Sequence, residues 1–394
     1  MTSATMVFAV AAIPLAVTSF SAGSQQPARQ TQADDYTRYE LLAPGSAKFR
    51  ILYEVTATTP GATHFFNAIR RGSVASDERV TDLASGRPLR FENVSGSVAR
   101  AGGVRGADST GEYIRVALAR PVPANGETRI LIDKTYFDTV SYKAGGDTLV
   151  FSRPLGIKRN AVVLPTGYEL VSCNFPSQVI QEPDGRIKIS FWNNTPPQAP
   201  LELRARRSAA VSAAPHPLPP DARRRLDERA HQSREIVYEL QQPETHAFDL
   251  YHDYTETRPG VAEYRNVVRA GSKVSRPRAV NLDTGEELKF EVVRNDSGEV
   301  VIFRFTPATA GQSVRLRMYE TYTDSSRYGL VGGELVWDRS FGRPSNVVIL
   351  PAGWLLTNSS VPVVVSQTPD GRARLEYVNP RTDEIAVLVT ARRR

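Results

Sequence analysis

Apolar and polar residues alternate along most of this 394-residue chain. Segments such as "FRILYEVTAT" from Phe49, "TRILIDKTY" from Thr128 and "VRLRMYETY" from Val314 are rich in β-branched and aromatic residues. Turn sequences such as "PDGR" and "PANGE" separate these segments, and neither half of the chain sustains a helical period. The pattern predicts an all-β protein of short antiparallel strands.

The strand pattern occurs twice. An offset of 199 residues aligns "NAIRRGS" from Asn67 with "NVVRAGS" from Asn266, and an offset of 186 aligns "TYFDTVSY" from Thr135 with "TYTDSSRY" from Thr321. The change of offset indicates a 13-residue insertion (199 minus 186) in the first copy. We therefore predict two tandem homologous antiparallel β-sandwich-like domains, over residues 36–207 and 238–393.

One short motif recurs with its surroundings. "NAVVLPTGYEL" begins at Asn160, and "NVVILPAGWLL" begins at Asn346. An apolar run before Leu-Pro predicts a buried strand, proline ends the strand because it lacks an N–H, and glycine lets the chain turn. Tyr168 and Trp354 are then expected to pack each corner, so the motif is interpreted as structural.

The N-terminus and the region between the copies differ in composition from the strands. An apolar run from Met6 to Val17 is followed by small residues, so residues 1–24 are predicted to be a signal peptide, and the run is too short to span a bilayer. The mature chain is expected to be secreted or periplasmic, without a transmembrane segment. Residues 208–237 are predicted to form a Pro/Ala linker followed by a short helix with Asp221 as its N-cap. We expect this helix to pack on the second copy.

The formal net charge of +7 is a modest excess that suits anionic surfaces. Basic runs such as "RARR" at 204–207 lack the interleaved aromatic residues of a single-strand binder, so no nucleic-acid partner is expected. Cys173 is the only cysteine and excludes an intramolecular disulfide. Since Ser359 takes its place in the second copy, Cys173 is interpreted as packing.

The usual catalytic motifs are absent from the sequence. It contains no zinc-peptidase His-Glu-x-x-His, no Cys-x-x-Cys, no Gly-x-Ser-x-Gly and no phosphate-binding Gly-x-x-x-x-Gly-Lys. In "HAFDLYHD", strand alternation places His246 and His252 on one face and Asp249 and Asp253 on the other, which is poor for a shared metal site. We therefore assign no catalytic residue, metal or cofactor.

Several polar residues occur in both copies and are the remaining candidates for chemistry. They are Asn67, Arg70 and Ser73 with Asn266, Arg269 and Ser272; Asp138 with Asp324; Arg153 with Arg339; and Asn160 with Asn346. Either they bind a substrate, or they form hydrogen bonds and ion pairs within their own domain. Duplication favours the second, because both copies must fold in the same way and would need the same internal contacts. Pairs of Asp138 with Arg153, and of Asp324 with Arg339, are expected.

The insertion is where the copies differ most. The segment from Ser95 to Gly111 is rich in glycine and carries Arg100 and Arg105, so it is predicted to be an exposed, mobile loop. Its guanidinium groups and backbone N–H groups suit a phosphate, a carboxylate or an acidic glycan, which makes Arg100 and Arg105 candidate binding residues. A neutral, tolerated insertion is the alternative.

The segments "DLASGRPLRFE" from Asp82 and "LARPVPANGETRILIDKTY" from Leu118 resemble the non-catalytic N-terminal β-domain of gluzincin-type zinc aminopeptidases. The two-copy layout resembles the luminal region of ribophorin I. Either resemblance implies a binding or scaffold module with no catalytic residue.

We therefore expect a secreted or periplasmic, non-enzymatic binding or scaffolding protein of the cell envelope. Its partner would be an unknown protein or an anionic envelope component. Two alternatives remain open: a hydrolase of unrecognised type that uses carboxylates such as Asp138 or Asp324 in an inter-domain cleft, and an accessory subunit of a partner enzyme.

Overall fold

The structure is a computed structural model that describes residues 28–193, 198–208, 217–232, 235–295 and 298–394. The predicted signal peptide over residues 1–24 lies outside the described residues. So do positions 209–216, 233 and 234 of the predicted linker.

The regular elements in the described part of the first domain are strands, apart from one short helix. Its elements are β1 Gln32–Leu41, β2 Lys48–Ala57, β3 His64–Ala68, β4 Val74–Asp82, β5 Phe91–Ser95, α1 Gly96–Ala101, β6 Glu112–Ala117, β7 Thr128–Phe137, β8 Tyr142–Gly145, β9 Thr148–Leu155, β10 Arg159–Val163, β11 Tyr168–Cys173, β12 Gln178–Gln181, β13 Ile187–Trp192 and β14 Ala199–Arg207. They form a large sheet in the order β12-β13-β10-β1-β2-β7-β4 and two smaller sheets in the orders β11-β14-β9-β8 and β3-β6-β5.

The second domain repeats this plan after a short helix. Its elements are α2 Pro220–Arg225, β15 Glu235–Leu240, a 3-10 turn Pro243–Thr245, β16 Ala247–Glu256, β17 Glu263–Val267, β18 Lys273–Asn281, β19 Glu286–Glu287, β20 Lys289–Asn295, β21 Gly298–Arg304, β22 Val314–Thr323, β23 Tyr328–Val331, β24 Glu334–Phe341, β25 Ser345–Ile349, β26 Trp354–Ser359, β27 Val364–Gln367, β28 Ala373–Val378 and β29 Ile385–Arg393. The large sheet runs β19-β18-β22-β16-β15-β25-β28-β27, and the smaller sheets run β23-β24-β29-β26 and β17-β21-β20.

The all-β tandem predicted from the sequence is confirmed. Each strand from β7 to β14 has its counterpart from β22 to β29 at an offset of 186 residues, with the same first and last positions. β2, β3 and β4 correspond to β16, β17 and β18 at the offset of 199. The alternating pattern directs one face of each strand into a core, for example Phe49, Ile51 and Val55 in the first domain and Phe248 and Trp337 in the second.

One feature of each large sheet departs from a purely antiparallel arrangement. β1 pairs in parallel with β10, with Thr37 opposite Asn160. β15 pairs in parallel with β25, with Ile236 opposite Asn346. The first strand of each domain therefore lies in the middle of its sheet, between a neighbour close in sequence and a partner far along the chain.

The repeated Leu-Pro motif forms the structural corner that the sequence predicts. All residues of β10 and β25 are buried. Gly167 and Gly353 have φ values of 77° and 84°, a conformation that glycine adopts without strain. Tyr168 is 3% exposed and Trp354 is also 3% exposed, so each aromatic ring closes its corner.

The insertion is exposed over much of its length, as its composition predicts, but it is not a loop throughout and part of it is packed. It contains α1, and Ala99 and Ala107 are buried against Phe66 and Tyr113 in a small separate core. A Cβ at Gly102 would lie 2.4 Å from the Phe66 ring, so the missing side chain permits this close packing. The small residues that suggested a loop are the residues that let the segment pack.

The predicted helix after the linker exists but differs in detail. α2 begins at Pro220, and its N-cap position is Pro219 instead of Asp221. None of its residues is buried, so α2 itself does not pack on the second domain. Proline is tolerated at the first helical position because a backbone N–H there has no acceptor within the helix, so its absence removes no hydrogen bond.

The residues after α2, within the inter-domain segment (residues 217–232), hold the domains together. Glu228 Oε1 accepts hydrogen bonds from Tyr36 Oη at 2.8 Å and Ser190 Oγ at 2.7 Å in the first domain. The next residue, Arg229, donates to the carbonyl oxygen of Asn379 in the second domain at 3.4 Å. Of these two consecutive residues, Glu228 thus binds the first domain and Arg229 binds the second.

Candidate functional site

The shared aspartates are engaged inside their own domains. Asp138 Oδ2 accepts from Arg153 Nη1 at 2.9 Å and from Ser73 Oγ at 3.0 Å, and Asp138 Oδ1 accepts from the backbone N–H of Ser141 at 2.8 Å. Burial alone would raise the pKa of Asp138, but the hydrogen bonds from Ser141 and Ser73 and the charge of Arg153 lower it overall. The carboxylate is therefore a stable anion within an ion pair.

The second copy repeats this arrangement. Asp324 Oδ2 accepts from Ser272 Oγ at 2.7 Å and from Arg339 Nη1 at 3.4 Å, and Ser326 Oγ donates to Oδ1 at 2.7 Å. Asp324 is 1% exposed. The expected Asp–Arg pairs are thus present in both copies, and neither aspartate lines a cleft between the domains in the manner that the hydrolase hypothesis needs.

The shared asparagines also bond internally. Asn160 Nδ2 donates to the carbonyl oxygen of Ile157 at 2.6 Å, and Asn346 Nδ2 donates to that of Arg343 at 2.8 Å. Asn67 and Asn266 contact buried charged side chains at equivalent positions of β7 and β22. Internal hydrogen bonds are thus confirmed for all four asparagines, while Oδ1 of Asn160 and of Asn346 is buried without a hydrogen-bond partner among the described residues.

The predicted alternation holds for Asp249, His252 and Asp253, but His246 precedes β16, at a φ of 54° after the 3-10 turn, so it shares no strand face with His252. His252 is 1% exposed and faces the core, where its Nδ1 lies 2.6 Å from Arg343 Nη2. Burial and the positive charge of Arg343 lower the pKa of His252 well below its usual value. Asp253 lies on the other face of β16 and binds Arg317 at 2.7 Å, and no group of potential metal ligands occurs among the described residues.

Charged residues that sequence reasoning missed join the domains directly. Arg129 Nη2 lies 3.1 Å from both carboxylate oxygens of Asp283, and Arg315 Nε lies 2.8 Å from Glu127 Oε1. The Glu127 N–H donates to the carbonyl oxygen of Leu282 at 2.7 Å. No sequence signal could have found these pairs, because their members are far apart in the chain and belong to different copies.

The inter-domain cleft consists of two cavities of about 390 and 490 Å³ that share Arg159 and Arg315. Each of its four acidic side chains has a basic partner: Asp253 has Arg315 and Arg317, Glu127 has Arg315, Glu235 has Lys158 at 3.5 Å, and Glu54 has His231 at 3.6 Å. Carboxylates held by cations are poorly placed to act as a general base or nucleophile. The geometry of the cleft thus favours cohesion of the domains over catalysis.

The two predicted binding residues lie together on the insertion. Arg100 is on α1 and Arg105 follows in the turn, and both are exposed. They line an arginine concavity of about 570 Å³ with a third arginine, Arg29. The complete lining in the described part of the chain is Ala28, Arg29, Ser97, Arg100, Ala101, Gly103 and Arg105, so it contains three guanidinium groups and no carboxylate.

Arg29 was missed because it reaches the insertion through tertiary contacts. The Gln30 N–H donates to the carbonyl oxygen of Gly103 at 3.0 Å, and the Gln30 side-chain amide exchanges two hydrogen bonds with the Phe66 backbone. A Cβ at Gly103 would lie 2.3 Å from the carbonyl oxygen of Ala28. These contacts fix residues 28–30 against the insertion, which brings Arg29 beside Arg100.

Comparisons with known proteins give weak likenesses only. No family model matches the chain, and no curated protein matches it. An M1 zinc metallopeptidase from Deinococcus radiodurans aligns over 45% of this chain and 42% of its own, at 10% identity and a TM-score of 0.30. A Legionella pneumophila protein named for nutrient binding aligns over 46% and 67%, at 13% identity and a TM-score of 0.27.

A Parabacteroides distasonis protein named as a protease aligns over 92% of both chains, at 11% identity and a TM-score of 0.26. M1 zinc aminopeptidases are thus among the structural neighbours, as the resemblance in sequence indicated, and this chain spans less than half of their length. Likenesses at these TM-scores carry no argument about activity.

Proposed function

We propose that this chain is a secreted or periplasmic, non-enzymatic binding module that attaches to an anionic component of the cell envelope through the arginine concavity. The observation that carries the proposal is the convergence of Arg29, Arg100 and Arg105 around one concave surface without a carboxylate in its described lining. Guanidinium groups bind phosphate and carboxylate through paired, charge-assisted hydrogen bonds.

The charges of this surface are available to a partner. Among the described residues, none of the three arginines lies within ion-pair distance of a carboxylate, whereas most other arginines of the chain do. The neighbouring Asp108 accepts hydrogen bonds from the N–H and hydroxyl of Thr110 at 3.0 and 2.9 Å, which holds it in its own turn. The surface therefore presents a local positive field.

The packing of the insertion supports binding because it fixes Arg100 before a partner arrives. Arg100 Nη2 donates to the carbonyl oxygen of Ala107, and the α1 backbone is anchored by buried Ala99. A side chain held by its surroundings loses less conformational entropy on binding. The insertion occurs only in the first copy, where a function acquired after duplication would be found.

Export is supported by the apolar N-terminal run alone, which lies outside the described residues. No helix in the described ranges is long and apolar enough to cross a membrane. The proposed attachment uses surface charge, and each arginine near an anionic lipid surface contributes about 1 kcal/mol.

The test is co-sedimentation of the mature chain with isolated envelope membranes at low and high salt. Arg100→Ala with Arg105→Ala should weaken binding by about 2 kcal/mol, roughly thirtyfold, at low salt. The matched control is Arg223→Ala with Arg225→Ala on α2, another pair of exposed arginines. Added salt should narrow the difference between the two double variants.

Equal losses in the two double variants, or unchanged sedimentation of the insertion variant, would contradict the proposal. Substitution is a cleaner test than deletion of residues 99–106. The composition of the insertion predicts that such a deletion leaves the melting temperature unchanged, but the structure shows that it would uncover Phe66 and Tyr113. We therefore expect the deletion to destabilise the first domain.

A further inference from the structure

An apolar groove lies directly beside the arginine concavity. It has a volume of about 520 Å³, within the range for ligand pockets. Its lining contains no carboxylate among the described residues, and its apolar members are Ala28, Pro60, Ala62, Phe66, Val98 and Ala101. Ala28 and Ala101 also line the arginine concavity, so the groove and the concavity form one continuous surface.

The short helix α1 lies between the apolar space and the charged one. Arg100 lines the concavity, whereas Val98 and Gly102 line the groove. Val98 is 39% exposed, so the groove offers an apolar side chain to a ligand. Neighbouring residues of α1 therefore supply charge to one space and apolar surface to the other.

The opposite wall of the groove is the turn between β2 and β3. Thr59 Oγ1 donates to the carbonyl oxygen of Arg29 at 3.1 Å, and the N–H of Gly61 donates to that of Val122 at 2.8 Å. On the other side, buried Ala99 anchors α1. Both walls are held by contacts within the domain, so a ligand would not have to order them on binding.

Polar side chains of the groove already have partners. Thr63 Oγ1 lies 3.0 Å from His64 Nδ1, and Arg115 forms an ion pair with Glu92. The groove therefore adds apolar contact instead of a second charged site. The charges that an anion would meet on this surface are those of the concavity.

We infer that this surface binds an anionic lipid, with its phosphate group against Arg29, Arg100 and Arg105 and one acyl chain in the apolar groove. The inference rests on the proposed function, because it names the chemical class of the anionic envelope component. Three guanidinium groups suit a phosphate, which offers more acceptor oxygens than a carboxylate. A free phosphate or an acidic glycan would use the concavity but leave the groove empty, whereas a lipid uses both.

The groove belongs to the first domain alone. In the second domain β20 ends at Asn295 and β21 begins at Gly298, which leaves two residues between these strands, too few for a helix like α1. The turn that forms the opposite wall does recur in sequence, as Pro259 and Gly260. Lipid binding would therefore have arisen with the insertion.

The experiment is isothermal titration calorimetry of the mature chain with methyl phosphate, decyl phosphate and decyl maltoside, the last two below their critical micelle concentrations. Decyl phosphate should bind about a hundredfold more tightly than methyl phosphate, because each buried methylene contributes about fourfold and about three to four would lie in the groove. Decyl maltoside carries the same chain on a neutral head group. It should bind at least about tenfold more weakly than decyl phosphate, for want of a charged hydrogen bond.

Two valine variants locate the chain. Val98→Asn replaces apolar surface by polar surface, so it should weaken binding of decyl phosphate about tenfold and leave that of methyl phosphate unchanged. Val179→Asn is the matched control, at a valine of β12 that is 48% exposed and lies outside the groove lining, and it should change neither affinity. Both valines are exposed, so neither substitution should prevent folding.

The head group is located by Arg100→Ala with Arg105→Ala, which should weaken the binding of methyl phosphate and of decyl phosphate by the same factor, at least about tenfold. A weaker affinity for methyl phosphate alone would overturn the placement of the phosphate. Equal affinities for decyl phosphate and decyl maltoside would overturn it as well.

Equal affinities for methyl phosphate and decyl phosphate would overturn the inference, as would saturable binding of neither. Equal effects of Val98→Asn and Val179→Asn would overturn the placement of the chain. If co-sedimentation with membranes still depended on Arg100 and Arg105 in any of these cases, the proposed function would stand without the lipid. Binding that depends on chain length without co-sedimentation would support the lipid site and contradict the attachment to membranes.

Discussion

Lys134 and Glu320 occupy the same position of the two copies, 186 residues apart, with opposite charges. Both side chains face the core, at 4% and 2% exposure. Lys134 Nζ donates to Asn67 Oδ1 at 2.5 Å, and Asn266 Nδ2 donates to Glu320 Oε2 at 2.6 Å. The same buried site therefore holds a cation in one domain and an anion in the other.

Burial raises the pKa of Glu320, and hydrogen bonds from Asn266 and Tyr322 oppose this increase only in part. A carboxyl whose pKa is raised by folding adds stability below its unfolded pKa and loses it as pH rises through the folded value. Each unit of increase corresponds to about 1.4 kcal/mol. Since Glu320 Oε1 also lacks a hydrogen-bond partner among the described residues, the ionised side chain destabilises the domain at higher pH.

We therefore expect Glu320→Gln to raise the free energy of unfolding by about 1–3 kcal/mol near pH 8, the range for an unmet buried group. The gain should shrink towards pH 4. Urea unfolding followed by tryptophan fluorescence measures this directly, because Trp337 is fully buried in the core of the second domain. A gain that does not change with pH would refute the reasoning, as would a loss of stability near pH 8.

Lys134→Met is the matched control, and its effect on stability should depend on pH in the opposite direction. Burial lowers the pKa of Lys134, so its stabilising contribution is present above the unfolded pKa and is lost as pH falls through the folded value. The benefit of Lys134→Met should then grow as pH falls, whereas that of Glu320→Gln grows as pH rises. Parallel pH profiles in the two variants would show that desolvation of these charges is not the cause.

Two further predictions concern ion pairs. Asp138→Ala should lower the free energy of unfolding by about 3–5 kcal/mol at neutral pH, because it leaves Arg153 buried without its anion. As the pKa of Asp138 is lowered in the fold, urea titrations should show this loss diminishing when pH falls through the folded value; a pH-independent loss would contradict the assignment. Glu228→Gln weakens the contacts with Lys188 and Tyr36, so trypsin should cut the inter-domain segment faster, on the order of tenfold, and an unchanged rate would contradict its fastening role.

The repeat, its register and its corners could be predicted because they depend on local sequence. Alternation fixes which side of a strand is buried, and the Pro-x-Gly spacing before Tyr168 and Trp354 fixes each turn. The pairing of Asp138 with Arg153 followed from their recurrence as Asp324 and Arg339. Because both residues recur in the second copy, this tertiary contact could be predicted from a single sequence.

The rest depends on contacts between distant segments. The insertion packs because Phe66, on another strand, accepts the small residues of α1, and composition alone does not show that surface. Arg29 joins Arg100 and Arg105 through the backbone contact of Gln30 with Gly103.

The parallel pair within each large sheet constrains how the protein folds. Thr37 in β1 pairs with Asn160 in β10, 123 residues later in the chain (160 minus 37). Ile236 in β15 pairs with Asn346 in β25, 110 residues later (346 minus 236). Pairings over such separations close large loops before they gain stability, so folding is expected to be slow. During synthesis, the middle of each sheet stays unpaired until most of its domain has left the ribosome, which prolongs the unfolded state.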